Sequence, residues 1–266
     1  MKKIFISGKK SVRQTILLLL AWTFSLSAIA RNENDTVFYR EKDIVKYYAV
    51  QETRIILGQK CYVSMFLDFG ADMLDKRNMF TGSMHASAGD FPKLRNSGIS
   101  SFSIYSMVEK RSSGFFSIMS GIGIEWANYR FSHDVTIKDI DGVATQVPVS
   151  SIFNTFSYMK KSKLAATYVQ IPLLLKLDFR RFFVAAGVTG GINLNSRTKV
   201  VFVDTRGRKQ TYKSYDVNLA PFKYGYTVRA GYGLLAIYAH YYVSPLFSKG
   251  EGPKVYPFVT GVSLKF

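Results

Sequence analysis

The sequence predicts an all-β fold: an eight-stranded antiparallel up-and-down transmembrane β-barrel with both termini on the periplasmic side. Three observations lead to this class. The chain starts with a secretory signal, its later segments alternate with a period of two, and its connections alternate between long and short. Cys61 is the only cysteine, so an intramolecular disulfide cannot contribute to stability.

Residues 1–30 are predicted to be a cleaved signal peptide. A basic start precedes an apolar run of about 15 residues, and Ala28-Ile29-Ala30 supplies the small residues of a cleavage site. The alternative is an N-terminal membrane anchor, which would need about 20 apolar residues. Cleavage removes five cations, so the net charge of +18 becomes +13 in a mature chain that begins at Arg31.

Residues 31–60 are predicted to form a periplasmic segment ahead of the barrel. Its six basic and five acidic residues nearly cancel in charge. Within it, EKDIVKYYAVQETRIIL predicts an amphipathic helix with Ile44, Tyr47, Tyr48, Ile55 and Ile56 as apolar anchors. Extended pairing with the barrel rim is the alternative.

Residues 61–266 are predicted to form the barrel, because eight segments in this range have strand character. Most are long enough to cross the hydrocarbon layer when tilted, which takes about 9–11 residues, whereas strands of soluble domains average about 5–6. No later stretch is apolar enough for a membrane helix. The eight segments are 61–70, 99–108, 115–131, 167–179, 181–194, 222–233, 234–243 and 257–266.

The connections between these segments separate into two classes. Residues 71–98, 132–166, 195–221 and 244–256 are long, polar and predicted to be irregular. Short links lie between them, at residues 109–114, near Arg180-Arg181 and near Gly233-Leu234. Short periplasmic turns and long extracellular loops are typical of outer-membrane barrels. The alternation therefore places the protein in the outer membrane.

The two faces of the strands indicate a filled interior. In residues 167–179, apolar Val169, Ile171 and Leu173 alternate with Gln170 and Lys176. Eight strands enclose a space that side chains can fill, and buried charges must pair. We therefore expect an interior charge network, with a gated ion path as the functional alternative. Its predicted members are Asp68, Glu125, Lys176 and Arg229, and the other inward groups are Asp178, His240 and Lys265.

Two further strand features carry expectations. Pro172 lacks an N–H group inside a predicted strand, which predicts a β-bulge there. Glycines on both faces of the fifth and sixth strands are expected to relieve crowding in a small lumen. Aromatic side chains are expected at both membrane interfaces; they include Trp126, Tyr224, Tyr226, Tyr232, Tyr238, Tyr241 and Tyr242.

The strand TYVQIPLLLKLDF, followed by a tight turn and FFVAAGVTGGINL, resembles the PorT-like outer-membrane β-barrel proteins, a family of small eight-stranded barrels. The motif residues are Tyr168, Ile171, Pro172, Leu173, Leu174 and Lys176. The resemblance covers about residues 61–266 and implies an outer-membrane location, mostly without an assigned activity. The family's namesake takes part in a protein secretion system. Phe258, Leu264 and Phe266 also resemble the C-terminal signal that the barrel assembly machinery reads.

Residues 195–221 form a basic loop for which lipopolysaccharide phosphates are the predicted partner. A merely solvated loop is the alternative. Nucleic acid fits the charge but not the compartment, so it is excluded as a partner. The predicted contact residues are Arg197, Lys199, Arg206, Arg208, Lys209 and Lys213.

The sequence predicts no catalytic residue, cofactor or metal site. It contains neither a G-x-S-x-G motif nor a metal-spaced His/Cys cluster. An enzyme like a lipid A acyltransferase would depend on a loop histidine and a neighbouring serine. Those candidates are His85 with Ser83 and Ser87, and His133-Asp134 with Ser132.

Three functions follow, in order of preference. The first is a structural or interaction barrel that contacts lipopolysaccharide or a protein partner through its outer loops and its N-terminal segment. The second is a component of a secretion or assembly apparatus with a periplasmic protein partner. The third is a lipid-modifying enzyme.

Overall fold

Antiparallel strands make up nearly all of the regular structure. The computed structural model describes residues 52–56, 59–75, 94, 99–113, 115–131, 134–153, 155–179, 181–215 and 217–266. The predicted signal peptide lies outside these residues. The elements are β1 (Glu52–Ile56), β2 (Gln59–Asp75), β3 (Ser101–Ser113), β4 (Phe116–Arg130), β5 (Val135–Ile140), β6 (Val143–Pro148), helix α1 (Val149–Ile152), β7 (Phe156–Phe179), β8 (Phe182–Asp204), β9 (Lys209–Ser214), β10 (Phe222–Tyr232), β11 (Leu235–Tyr242) and β12 (Tyr256–Lys265).

Eight of these strands close into a ring. Each pairs with its neighbour in the order β2-β3-β4-β7-β8-β10-β11-β12, and β12 pairs back onto β2 from Tyr256↔Asp75 to Lys265↔Phe66. All eight predicted barrel strands are thus confirmed. Short turns join β3 to β4, β7 to β8 and β10 to β11 at one end of the ring, called here the short-turn end. The other end is the long-loop end. No helix among the described residues is long and apolar enough to span a membrane.

The alternation of side chains sets which face of each strand points outward. On β7, Ile171, Leu173 and Leu175 are each more than half exposed, whereas Gln170 and Leu174, on the opposite face, are fully buried. Successive residues of a strand point to opposite faces, so the wall carries an apolar outer band and a filled interior.

Two glycines make room for aromatic rings in the interior: Gly231 lies on the sixth predicted strand, where the sequence predicts this role, and Gly123 lies on the third, where it does not. A Cβ atom on Gly123 would lie 2.2 Å from the Tyr105 ring, and one on Gly231 would lie 2.4 Å from the Phe183 ring. Both distances are far below van der Waals contact. Bulky interior side chains therefore require glycine on the neighbouring strand.

The predicted bulge at Pro172 is wrong. Pro172 keeps regular register with Thr189 of β8, and the register between β4 and β7 continues unchanged past it. The ladder between β4 and β7 instead omits two pairs, between Ser120↔Leu173 and Gly123↔Gln170. The Ser120 hydroxyl donates a 2.9 Å hydrogen bond to the Pro172 carbonyl. Two missing pairs, and not an inserted residue, accommodate the proline.

The expectation that residues 132–166 and 195–221 are irregular is wrong in large part. β7 begins at Phe156 and β8 continues to Asp204, so both extend well beyond the predicted strands. A register shift opposite Thr167/Tyr168 leaves Leu194 as an extra residue. After this bulge the inward and outward positions of β8 are exchanged, so the alternation of apolar and polar residues no longer has a constant period of two.

β7, β8 and β9 form a three-stranded extension at the long-loop end. β9 pairs with β8 from Thr198↔Ser214 to Val203↔Lys209. Val149 of helix α1 packs against Val200 and Phe202 on the inner face of this sheet. The extension therefore has a covered inner face and an open outer face.

The described parts of the long loops pack together at the mouth of the barrel. Phe131 of β4, Leu219 and Phe247 belong to one buried apolar cluster at this end, with Ile137 of the β5–β6 hairpin. Polar contacts join the same loops: the Ala144 N–H donates to the Glu251 carbonyl at 2.7 Å, and the Asn218 amide donates to Asp139 at 2.9 Å. The core thus continues from the lumen into the loops.

Residues 52–56 form β1, where the sequence favoured the end of an amphipathic helix. β1 pairs with β2 from Glu52↔Val63 to Ile56↔Gln59, in line with β12, whose Phe266 bonds to Met65. This matches the extended alternative for that part of the segment. Residues 31–51, which hold the other predicted anchors Ile44, Tyr47 and Tyr48, lie outside the described residues. The barrel wall also begins at Gln59 and not at residue 61.

The aromatic residues divide between the two faces. Tyr224, Tyr226 and Tyr232 are half exposed on the outside of β10, as expected for an interface. Tyr238 and Tyr242 are buried, which corrects their predicted interfacial position. They lie two residues before and after His240 on β11, and alternate residues of a strand point to the same face, here the interior.

Candidate functional site

The middle of the lumen holds a buried ion pair between Asp68 of β2 and Arg229 of β10. The guanidinium donates two hydrogen bonds to the carboxylate, Nη1 to Oδ1 at 2.9 Å and Nη2 to Oδ2 at 2.6 Å. The rings of Phe66, Tyr105 and Tyr238 lie 5.1–5.2 Å from the guanidinium carbon. A bidentate pair flanked by aromatic faces neutralises both charges within the lumen.

A second group of charges lies nearer the short-turn end. The Lys176 ammonium is 2.7 Å from Glu109 and 2.8 Å from Asp178. Lys176 and Lys265 both approach the Phe183 ring, at 5.3 and 5.2 Å. One cation bridges two carboxylates here, and a second cation lies on the shared ring.

A third group lies toward the long-loop end and centres on Glu125. Lys223 donates to its carboxylate at 2.5 Å, and Gln170 and Tyr242 donate to the same oxygen. The Lys223 ammonium lies between two rings, 3.8 Å from that of Tyr168 and 4.1 Å from that of Tyr242. Glu125 therefore has several donors, whereas Asp68 depends mainly on Arg229.

The structure places all four network residues of the sequence prediction in the interior, but it joins only two of them to each other. Asp68 and Arg229 meet each other, whereas Glu125 pairs with Lys223 and Lys176 pairs with Glu109. Asp178, His240 and Lys265 also lie inward. His240 is fully buried and its Nδ1 contacts the Thr227 hydroxyl at 2.7 Å.

Sequence reasoning missed Glu109 and Lys223. The sequence pattern places Glu109 in a short link, because it ends the strand at residue 108. The inward series Ser103, Tyr105, Met107 continues with Glu109 at a spacing of two, so that signal was present. Lys223 likewise shares the parity of Arg229, but the glycines of its strand obscured the pattern.

The predicted basic contact residues separate into two places. Arg206, Arg208 and Lys209 lie at the turn between β8 and β9. Asp204 accepts hydrogen bonds from the N–H groups of Arg206 and Arg208 at 2.9 and 2.8 Å, and it pairs with the Arg208 side chain at 3.2 Å. The Arg208 N–H holds the pKa of the Asp204 carboxyl below its usual value, assisted by Gln210 and the Arg206 N–H. Asp204 thus compensates part of the positive charge of this turn, that of Arg208.

The remaining basic residues lie on the outer face of the wall. Arg130 of β4 is the register partner of Lys163 of β7, and Lys163 is the partner of Lys199 of β8. Lys199 is in turn the partner of Lys213 of β9. These four residues are called the cation row. Arg197 lies two residues nearer the apolar band on β8, opposite Ala165.

The cation row repels itself electrostatically. Burial, followed by the charges of Lys161, Arg197, Lys199 and Arg130, lowers the pKa of Lys163 to about 8. The Lys163 ammonium donates to the Asn128 side chain, which is neutral. In the part of the chain that the structure describes, no member of the row forms an ion pair. This is unlike the lumen, where every lysine and arginine discussed above lies beside a carboxylate or an aromatic ring.

The other predicted sites are placed only in part. Phe258, Leu264 and Phe266 lie on the outer face of β12, and Phe266 is 55 % exposed. The catalytic alternatives His85, Ser83, Ser87, Ser132 and His133 lie outside the described residues. Within the described ranges, no three His, Cys, Asp or Glu side chains are grouped to hold a metal ion.

Comparisons with known proteins give one family and several distant structures. A family model described as "Outer membrane protein beta-barrel domain" matches residues 77–248. No curated protein matches the chain. Among solved structures, Ail of Yersinia pestis is 11 % identical, with a TM-score of 0.31 over 77 % of this chain and 97 % of that one. Ail bound to the heparin analogue sucrose octasulfate gives 0.30 over the same shares at 11 % identity. A mutant porin of Rhodopseudomonas blastica is 9 % identical, with a TM-score of 0.19 over 77 % and 100 %.

Proposed function

Because this chain belongs to the family of outer membrane protein beta-barrel domains, we propose that it is a closed barrel acting through its surfaces and not as a pore. The chain resides in the outer membrane. In this proposal the long-loop end faces outward, as is usual for such barrels. The barrel anchors that end and presents it to lipopolysaccharide or a protein partner.

The Asp68–Arg229 pair is the observation that carries this proposal. It joins two strands across the ring, both side chains are at most 1 % exposed, and three aromatic rings surround it. Opening a water path here would require the pair to separate and the surrounding rings to move apart, so the folded arrangement closes the lumen at this level. The loops that pack together at the mouth of the barrel add a second barrier.

Single-channel recording in planar lipid bilayers tests the closed state. Purified protein is expected to insert without producing stable open steps at neutral pH. The matched control is the double variant D68A/R229A, which removes the central pair without changing net charge. We expect it to produce brief current events. Long-lived open steps from the unaltered protein would show that it conducts and would overturn the proposal.

Two partners belong to this proposal. The basic residues of the outer surface contact lipopolysaccharide phosphates, which Arg binds in bidentate fashion. During biogenesis, the outer face of β12, with Phe258, Leu264 and Phe266, is read by the barrel assembly machinery. Replacing Phe266 with Ala should then reduce the amount of folded protein in the outer membrane, measured by its unboiled gel mobility.

A second candidate function is a component of a secretion or assembly apparatus, like the PorT-like namesake. β1 favours it, because β1 is the last strand in the sheet order and adds an edge at the rim. Such an edge can accept a strand of a partner. A photocrosslinker at Arg54 should capture a protein in this case. Crosslinks found only from a matched position at Lys249, in the loop between β11 and β12, would favour the first function.

A lipid-modifying activity is the third candidate, and it rests on the loop histidines named from the sequence. Mass spectrometry of lipid A from cells with and without the gene tests it. A lost acyl or phosphate change would favour the enzyme, and identical lipid A would remove it.

A further inference from the structure

We propose that the cation row is a binding site for the phosphate groups of a multiply phosphorylated lipid of the outer leaflet. The proposal deepens the function above, because it rests on the long-loop end facing outward. It assigns lipid binding to the wall of the barrel, at Arg130, Lys163 and Lys199, and not to the tip of the β8–β9 turn.

The register of the strands carries the first step. Direct cross-strand neighbours on one face of a sheet have Cβ atoms about 4.5–5.5 Å apart, and like charges in that position are destabilising. The cation row repeats this unfavourable pairing three times in succession. A bound anion that contacts two neighbouring cations of the row would offset their mutual repulsion by its attraction to both.

The location of the row carries the second step. On β4 the outward positions run from Ile124 through Trp126 and Asn128 to Arg130, so the row follows an aromatic residue at the edge of the apolar band. Trp126 stacks on Phe102 of β3, with ring centroids 5.7 Å apart. Aromatic rings at this level occupy the headgroup layer. A lipid whose acyl chains lie along the apolar band would bring its headgroup to the cations.

The width of the row points to more than one phosphate. Its four members lie on four adjacent strands, and strands are spaced about 4.8 Å apart, so the row is about 14 Å wide. One phosphate could contact two neighbouring cations of such a row, but not all four. Arg197, set nearer the membrane opposite Ala165, adds a fifth donor to the same face.

The β8–β9 turn is the weaker alternative site. Arg208 at this turn already pairs with Asp204, whose carboxylate also holds two backbone N–H groups. A phosphate would have to compete with that carboxylate. On the row, in contrast, the register places cation beside cation, and burial, followed by the charges of these neighbours, lowers the pKa of Lys163.

The experiment compares two variants that remove the same charge from the two places. R130Q/K163Q/K199Q neutralises three members of the row, and R206Q/R208Q/K209Q neutralises the turn. Purified protein in detergent is titrated with diphosphoryl lipid A, monophosphoryl lipid A and phosphatidylcholine. Trp126 is the reporter, since Trp22 in the predicted signal peptide is the only other tryptophan. Inorganic pyrophosphate is the soluble competitor.

We expect the row variant to bind diphosphoryl lipid A about tenfold or more weakly, given that each charge-assisted contact contributes substantially. The turn variant should change by less than about twofold, because its charges are partly compensated. Monophosphoryl lipid A should bind more weakly than the diphosphoryl form, and phosphatidylcholine should not distinguish the variants. Unboiled gel mobility checks that both variants are folded.

Three results would overturn the assignment. Equal losses in the two variants would indicate a diffuse electrostatic effect, and unchanged binding in the row variant would remove the site. Competition by pyrophosphate at concentrations comparable to lipid A would indicate a site for soluble anions. These results are independent of the single-channel test of the proposed function. A conducting barrel could still bind lipid at the cation row, and a closed barrel could lack the site.

Discussion

The lumen and the outer face of the β7–β8–β9 extension carry charge in opposite arrangements. Inside, Asp68 meets Arg229 and Glu125 meets Lys223, and these side chains are nearly fully buried. Outside, the cation row places Lys163 and Lys199 side by side on a partly exposed face. Buried charges must be neutralised within the fold, whereas exposed ones can be left for a ligand. The difference separates charges that hold the barrel together from charges that are available for binding.

The comparison also shows why the number of charges alone does not locate the binding face. The whole chain has an excess of 18 positive charges, but Lys176, Lys223 and Arg229 are used inside the barrel. Arg208 is paired at its turn. The binding face is therefore defined by strand register and not by the most basic stretch of sequence.

The largest effect is expected from Arg229→Met. Removing the guanidinium leaves the Asp68 carboxylate buried without its ion partner, and such a loss costs about 3–5 kcal/mol in free energy of unfolding. Urea unfolding in detergent, followed by unboiled gel mobility, measures it. The matched control D68L/R229M removes both charges and should lose less stability than the single variant. A single variant as stable as the unaltered protein would show that the pair is not structural.

A smaller effect is expected from Lys223→Met. Glu125 keeps hydrogen bonds from Gln170 and Tyr242 after the ammonium is removed. The cost should therefore lie nearer that of one buried charge-assisted hydrogen bond, about 1–3 kcal/mol. The same unfolding measurement applies, with E125Q/K223M as the charge-balanced control. A loss equal to that of Arg229→Met would contradict the difference between the two levels of the lumen.

The barrel could be predicted from sequence because inward and outward residues alternate regularly along the strands of its wall. The alternation of Val169, Ile171 and Leu173 with Gln170 and Leu174 holds across the membrane band, where lipid contacts one face and packed side chains the other. Strand pairing then follows from the short turns. Ion partners could not be predicted, since they depend on register across strands that are distant in sequence. Asp68 and Arg229, for example, are 161 residues apart.

The region outside the membrane band was harder to predict because the alternation of inward and outward residues changes within a strand. Leu194 is an extra residue in β8, and after it Arg197 and Lys199 take the outward side. A prediction that assumes constant alternation ends the strand at Leu194, although β8 continues to Asp204. The lysines and arginines were therefore recognised as a basic loop, but their alignment with Arg130 and Lys163 required the structure.

The smallest expected effect, and the one that sharpens the comparison most, is the pH dependence contributed by Lys163. Its pKa in the folded protein is about 8, against about 10.4 when unfolded. Between these values the unfolded chain binds more protons, so without lipid the stability should rise with pH. Below about pH 8 both states are protonated and the contribution is flat. Among the described residues, the charged groups that act on Lys163 are cationic: Lys161, Arg197, Lys199 and Arg130.

The unfolding midpoint measured from pH 7 to 10 tests this, with Lys163→Gln as the matched control. The unaltered protein should gain stability between about pH 8 and 10 relative to the variant, because deprotonation of Lys163 removes a partly buried charge and with it the repulsion from the neighbouring cations in the folded state. Diphosphoryl lipid A should reduce that gain, since an opposite charge favours the ammonium form and raises the pKa of Lys163. Identical profiles for protein and variant would show that Lys163 is not destabilised by its neighbours. A gain that lipid leaves unchanged would mean that no phosphate approaches Lys163, and the outer cations would then be a solvated face.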